Sequence, residues 1–178
     1  VPQPNVVLLC TGNAARSVMA GYMVEQRASD LGVPMGVRTA GTHVVEGQPM
    51  SMRTRAGIAS VKELGPVPAG SHRSHQLSAD DLAWADLIVA MEADHVRYVR
   101  RQHPEAARRT ATMRRLCREL PSGPDSFETR LAELDLAAAP LELWEDVIDP
   151  AGGEVDDYVA CAQELWELCG ELVTLIAG

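Results

Sequence analysis

At 178 residues the chain is of a size that builds one core, so one domain spanning 1–178 is expected. A formal charge of -9 argues against general affinity for nucleic acid or anionic membranes, although a strongly positive pocket can sit inside an acidic surface. The longest apolar runs, Asn5 to Cys10 and Leu172 to Ala177, are far too short to span a bilayer, and no basic segment followed by an apolar stretch opens the chain; a soluble, cytoplasmic protein is expected.

Asn5-Val6-Val7-Leu8-Leu9-Cys10 is almost continuously apolar, the pattern of a strand buried on both faces of a parallel sheet. A turn carrying Gly12 and Asn13 follows, and then Met19, Met23, Val24 and Ala28 recur at helical spacing over Ser17 to Leu31. Val37 to Gly41 reads as a second strand, and Ser51 to Leu64 as a second helix stopped by Gly65. A short helix closes over Leu82 to Asp86 before a buried strand, Leu87 to Met91. Asp94 to Gln102 reads as a helix that Pro104 ends. Thr110 to Met113 is a further strand candidate. Pro121 to Pro140 looks like a surface connection holding a short helix from Ser126 to Leu136. In the last segment, Glu154 to Ala177, Tyr158, Ala162, Leu165, Trp166, Cys169, Leu172, Val173 and Ile176 recur at steps of three and four, the stripe of a helix packed by one face. Strands alternating with helices predict a single-domain, doubly wound α/β fold.

The chemistry concentrates in Cys10-Thr11-Gly12-Asn13-Ala14-Ala15-Arg16-Ser17. A cysteine at the end of a buried strand, six positions before an arginine that opens a helix, suits phosphate-ester cleavage in three ways. Backbone N–H groups of Thr11, Gly12, Asn13, Ala14, Ala15, Arg16 and Ser17 can converge on an anion, helped by the helix N-terminus. That field favours the thiolate of Cys10, which is the attacking species. Arg16 can bind two phosphate oxygens through its planar fork. Ser17 is placed to donate to the cysteine sulfur, and Asn13 tolerates a left-handed backbone better than most residues. A cysteine after a strand is otherwise most often a plain core residue; the arginine spacing and the serine reverse that reading.

The leaving oxygen needs a proton, so a general acid must reach the phosphate from the side opposite Cys10. Asp149, on the loop made by Pro150, Gly152 and Gly153 before the last helix, is the candidate, and afterwards the base that activates water. No metal ligand cluster or cofactor motif is present in the sequence, and neither a metal nor a cofactor is expected. The other cysteines, Cys117, Cys161 and Cys169, read as free thiols.

Val7 to Ser17 resembles the signature of the low-molecular-weight protein tyrosine phosphatases, and the similarity continues through Thr39-Ala40-Gly41-Thr42, Gly47-Gln48-Pro49, His72-Arg73-Ser74, Ala85 to Met91 and Asp149-Pro150. The resemblance implies a four-stranded parallel sheet with helices on both faces. It implies Cys10 as nucleophile, Arg16 as phosphate clamp, Asn13 and Ser17 as loop organisers and Asp149 as acid. His72 matches the histidine that supports the loop asparagine in that family, while a plain core or capping histidine explains it equally well.

Three positions depart from that pattern. Ala15 stands where many members carry a second cysteine able to guard the nucleophile as a disulfide, so oxidation of Cys10 is expected to run further toward irreversible products. Val18 replaces a proline at the helix start. Ala151 and Gly152 follow Asp149-Pro150 where aromatic residues often wall the phosphotyrosine slot, and His43, Val44 and Val45 are either another wall or simple surface.

The expected activity is hydrolysis of phosphate monoesters through a phosphocysteine intermediate. The substrate is a phosphorylated protein, phosphotyrosine first, or a small phosphate ester. An arsenate reductase would need two relay thiols near the loop, a phosphocysteine carrier would leave Arg16 and Asp149 idle, and an inactive phosphate-binding module is a further alternative. Arg97, Arg100, Arg101, Arg108, Arg109, Arg114, Arg115 and Arg118 read as a solvated helical face balanced by nearby acids. The oligomeric state is not legible.

Overall fold

The computed structural model describes residues 3–178. Its sheet has four parallel strands: β1 (Asn5–Cys10), β2 (Gly36–Gly41), β3 (Leu87–Ala90) and β4 (Thr110–Thr112), in the order β2-β1-β3-β4. Val6 to Leu9 are fully buried because β1 lies inside the sheet and both of its faces are covered. Side chains alternate across it. Val6, Leu8 and Cys10 join the core under α1 (Arg16–Leu31), and Val7 and Leu9 join a second core with Ala40, Ile88, Leu77 and Leu82.

The remaining helices are α2 (Met52–Ser60), α3 (Ala79–Trp84), α4 (Ala93–Gln102), α5 (Met113–Glu119), α6 (Phe127–Ala132) and α7 (Val155–Ala177). The stripe expected on α7 is buried residue for residue, and the helix packs on α1, α2 and α5. None of these helices is long and apolar enough to cross a membrane.

Several elements differ from the sequence reading: α3 spans Ala79–Trp84 rather than Leu82 to Asp86, and α6 ends at Ala132, not Leu136. The second helix ends at Ser60, not Leu64: Val61 leaves the helical conformation, and Gly65, at φ 67°, closes a separate turn by donating its N–H to Val61 O. Met113 belongs to a helix, α5, and not to a strand, because Thr112 ends β4 and caps the helix by accepting from Arg115 N.

The arginine cluster divides: Arg97, Arg101, Arg108 and Arg118 are exposed, with Arg97 paired to Asp94 as on a solvated face, and the other four bind inward. Arg100 donates to Leu136 O and Ala139 O, Arg109 to Leu82 O, and Arg114 pairs with Glu164. Arg115 is buried against Glu145 and Glu119, and the guanidiniums of Arg115 and Arg118 both lie over the Trp144 ring. These guanidiniums bridge irregular segments whose carbonyls have no ladder partner, a use the planar five-donor group serves well.

Candidate active site

The loop from Cys10 to Ser17 emerges from the C-terminal end of β1, between the ends of β2 and β3. This is where crevices form in open α/β sheets. Its base is held by main-chain bonds from the segment after β2: Thr42 N donates to Cys10 O and His43 N to Thr11 O. Gly41 lies so close that an added Cβ would sit 2.5 Å from Thr11 O and 2.8 Å from Asn13 N, so no larger residue fits without moving the loop.

Asn13 organises the turn. Its backbone is left-handed, φ 48°, and its buried side chain donates to Ser17 Oγ at 2.9 Å while accepting from His75 N at 2.9 Å. Its carbonyl accepts from His72 Nε2 at 2.9 Å and from Ser74 Oγ at 3.0 Å. Burial holds His72 below the ordinary histidine range, which suits a neutral ring donating to a carbonyl. His72 therefore does reach the loop asparagine, through the main chain, while the side-chain amide is held by the backbone of His75. Ser17 Oγ, so supported, lies 3.0 Å from Cys10 Sγ. Thr54 at the start of α2 adds a bond to Ala14 O.

Arg16 is 2% exposed. Its Nη1 donates to the Glu92 carboxylate and to Val147 O, and its Nη2 lies 3.2 Å from Asp149 Oδ2. The fold thus brings Asp149 to the loop from the far end of the sequence. The segment carrying it is tied down by Val147 N to Met91 O and by Ala93 N to Asp146 Oδ1, and Asp149 itself accepts from Ala151 N. Asp149 is half-exposed at the open side.

Thr54, His75 and Val147 escaped the sequence reading, and so did Glu92 and His95. Both stand at the corner between β3 and α4, where His95 Nε2 lies 2.8 Å from Thr11 Oγ1. The rule that sites gather at the carboxyl ends of neighbouring strands would have pointed to Met91-Glu92-Ala93-Asp94-His95.

The thiols outside the loop are poor relay partners. All four cysteines are free, and burial pushes both Cys117 and Cys161 up to about 12 and Cys169 higher still. Among the described residues no group of histidine, cysteine and carboxylate side chains could hold a metal ion.

Residues 5–122 match the family described as low molecular weight phosphotyrosine protein phosphatase. The chain belongs to that family. It is accordingly a cysteine-dependent phosphatase. A protein-arginine-phosphatase of Geobacillus stearothermophilus is 30% identical over 94% of this chain and 92% of its own length. A low molecular weight protein-tyrosine-phosphatase of Streptomyces coelicolor is 31% identical over 89% of this chain and 84% of its own. Among solved structures, the low molecular weight protein tyrosine phosphatase from T. tengcongensis superposes with a TM-score of 0.75 at 28% identity, over 97% of this chain and 99% of that one.

Proposed function

We propose that Cys10 is the nucleophile and Asp149 the proton donor in hydrolysis of a phosphoryl group carried by a protein side chain. The observation that carries this reading is the placement of Asp149 Oδ2 3.2 Å from the Arg16 guanidinium at the open side of the loop. A phosphate bound by Arg16 and the loop N–H groups then has the sulfur behind it and a carboxyl group in front. The Cys10 sulfur forms a bond to phosphorus as the leaving oxygen departs and takes the proton of Asp149. The Asp149 carboxylate then removes a proton from water, whose oxygen attacks phosphorus and releases the Cys10 thiolate, to which Ser17 Oγ donates. His72, Ser74, His75 and Asn13 hold Ser17 and the loop in this shape.

Phosphotyrosine on a protein is the first reading of the substrate, from the family. Phosphoarginine is the second: the protein-arginine-phosphatase relative matches along nearly the whole chain, and Ala151 and Gly152, not aromatic residues, follow Asp149-Pro150. A guanidine leaving through its nitrogen needs the same proton from Asp149. The free thiols support action in a reducing compartment such as the cytoplasm, and the charge of -9 speaks against nucleic acid as partner.

Turnover of p-nitrophenyl phosphate in the presence of a chelator tests the chemistry. Cys10→Ser is expected to abolish it, and Asp149→Asn to lower kcat by about 10²-fold or more. Activity surviving Cys10→Ser would end the proposal. Phosphotyrosine and phosphoarginine peptides compared at equal concentration decide the substrate; equal turnover of small alkyl phosphates would count against a protein substrate.

A further inference from the structure

The corner after β3 grips the phosphate loop at both ends. Glu92 pairs with Arg16 near its end, and His95 reaches Thr11 at its beginning. The corner is itself fixed to β1, because Met91 N donates to Leu9 O at 3.0 Å. His95 is 2% exposed, whereas Thr11, next to Cys10, is exposed. Their bond therefore runs from a buried ring to the hydroxyl of a solvent-exposed residue next to Cys10.

The direction of that bond follows from the other ring nitrogen. Glu92 N donates to His95 Nδ1 at 3.1 Å, so Nδ1 is the acceptor and the proton of a neutral ring sits on Nε2. Nε2 then donates to Thr11 Oγ1. Among the described residues the Thr11 hydroxyl has no other partner, and its own proton is left for a group outside the protein. A hydroxyl that accepts from within and is free to donate outward is suited to an anion. Burial, followed by the nearby Arg16 charge, drives the His95 pKa down to about 3, which keeps the ring in this neutral form.

We propose that His95 is a positioning residue that commits the Thr11 hydroxyl to donate to an oxygen of the bound phosphoryl group. The proposal rests on the Cys10 to Ser17 loop being the phosphate site. No covalent step passes through either residue. Their effect is on how tightly the loop holds a phosphoryl anion.

The test uses p-nitrophenyl phosphate as substrate and inorganic phosphate as competitive inhibitor, with thermal midpoints measured for every variant. Thr11→Val is expected to lower kcat/KM and weaken inhibition by phosphate in parallel, each by about tenfold, the effect of losing one hydrogen bond to a charged group. Thr11→Ser, which keeps the hydroxyl, should recover most of both. His95→Asn keeps an acceptor near the Nδ1 position for Glu92 N but cannot reach Thr11, and should reproduce Thr11→Val. His95→Gln carries an N–H near the Nε2 position and should rescue it. The double variant Thr11→Val with His95→Asn should be no worse than either alone, because both remove one interaction. Additive losses, or a Thr11→Val enzyme with unchanged kcat/KM and unchanged inhibition by phosphate, would overturn the inference. If His95→Asn does not fold, the contrast between Thr11→Val and Thr11→Ser, both at an exposed side chain, decides alone. A wild-type protein unable to turn over the aryl phosphate would mark failure of the functional reading instead.

Discussion

His95 illustrates how one buried ring links stability to pH as well as shaping a loop. Its ordinary value is 6.5, and the fold lowers it to about 3, through desolvation first and then the charge of Arg16; Asp94 opposes the shift and His43 adds to it. Above pH 6.5 both folded and unfolded chains carry a neutral ring. Between 6.5 and about 3 the unfolded chain binds a proton that the folded one does not, so stability is lost as pH falls through that window. His72 acts in the same direction. Asp81 and Glu145, whose folded values lie below their ordinary 3.8 and 4.5, lose their contribution only at more acid pH, as they fall through those folded values. Urea midpoints measured from pH 8 to pH 5 are thus expected to decline, and His95→Asn to flatten the decline; an unchanged slope in that variant would refute the assignment. That Cys10, Asn13, Arg16 and Ser17 share one loop was legible in the sequence because they lie within one short run. His95 and Glu92 were not, since what makes them matter is the adjacency of β3 to β1.

Among the elements, the segment between α6 and α7 depends most on buried charge. The 3-10 turn Leu143–Glu145 precedes the loop bearing Asp149, and Glu145 is fully buried. Its carboxylate accepts from Arg115 Nη2 at 2.6 Å, Thr112 Oγ1 at 2.9 Å and Glu142 N at 2.8 Å, so one side chain ties the end of β4 and the start of α5 to this turn. Glu145→Ala would leave Arg115 short of its best partner and is expected to cost about 3 kcal/mol, lowering Tm by roughly 6–12 °C for a chain of this size. The same change should lower kcat at temperatures where the variant is folded, because Val147 and Asp146 anchor the Asp149 loop just beyond. Calorimetry beside steady-state rates checks both, and a Tm within about 2 °C of wild type would show that Arg115 and its other partners suffice. The strands and long helices are legible from periodicity, since a buried face repeats every two or every three to four residues. α5 and the arginine bridges are not, because short elements lack enough repeats and an arginine that caps a distant carbonyl looks like one that faces water.

For the whole molecule, the distribution of thiols sets the response to oxidation. Ala15 occupies the place of a guarding cysteine, and Cys117, Cys161 and Cys169 are held protonated by burial in α5 and α7. A sulfenic acid on Cys10 therefore has no ready thiolate inside the chain with which to condense, losing water, to a disulfide. Hydrogen peroxide is expected to inactivate the enzyme in a way that dithiothreitol reverses only briefly after exposure, with sulfinic acid on Cys10 visible by mass spectrometry; Ala15→Cys should restore recovery. Full recovery of the wild type after prolonged exposure would contradict this. By itself the sequence determined the order of the main strands and helices and the meeting of Cys10, Asn13 and Ser17 in one loop, since each depends on residues close together in the chain. The tertiary structure decided that Glu92, Val147 and His95 join Asp149 at that loop, and that Arg100, Arg109, Arg114 and Arg115 brace the chain while Arg97, Arg101, Arg108 and Arg118 stay exposed. Such contacts arise from how parallel strands are ordered and how irregular segments find partners for their polar groups, and neither is written in local spacing.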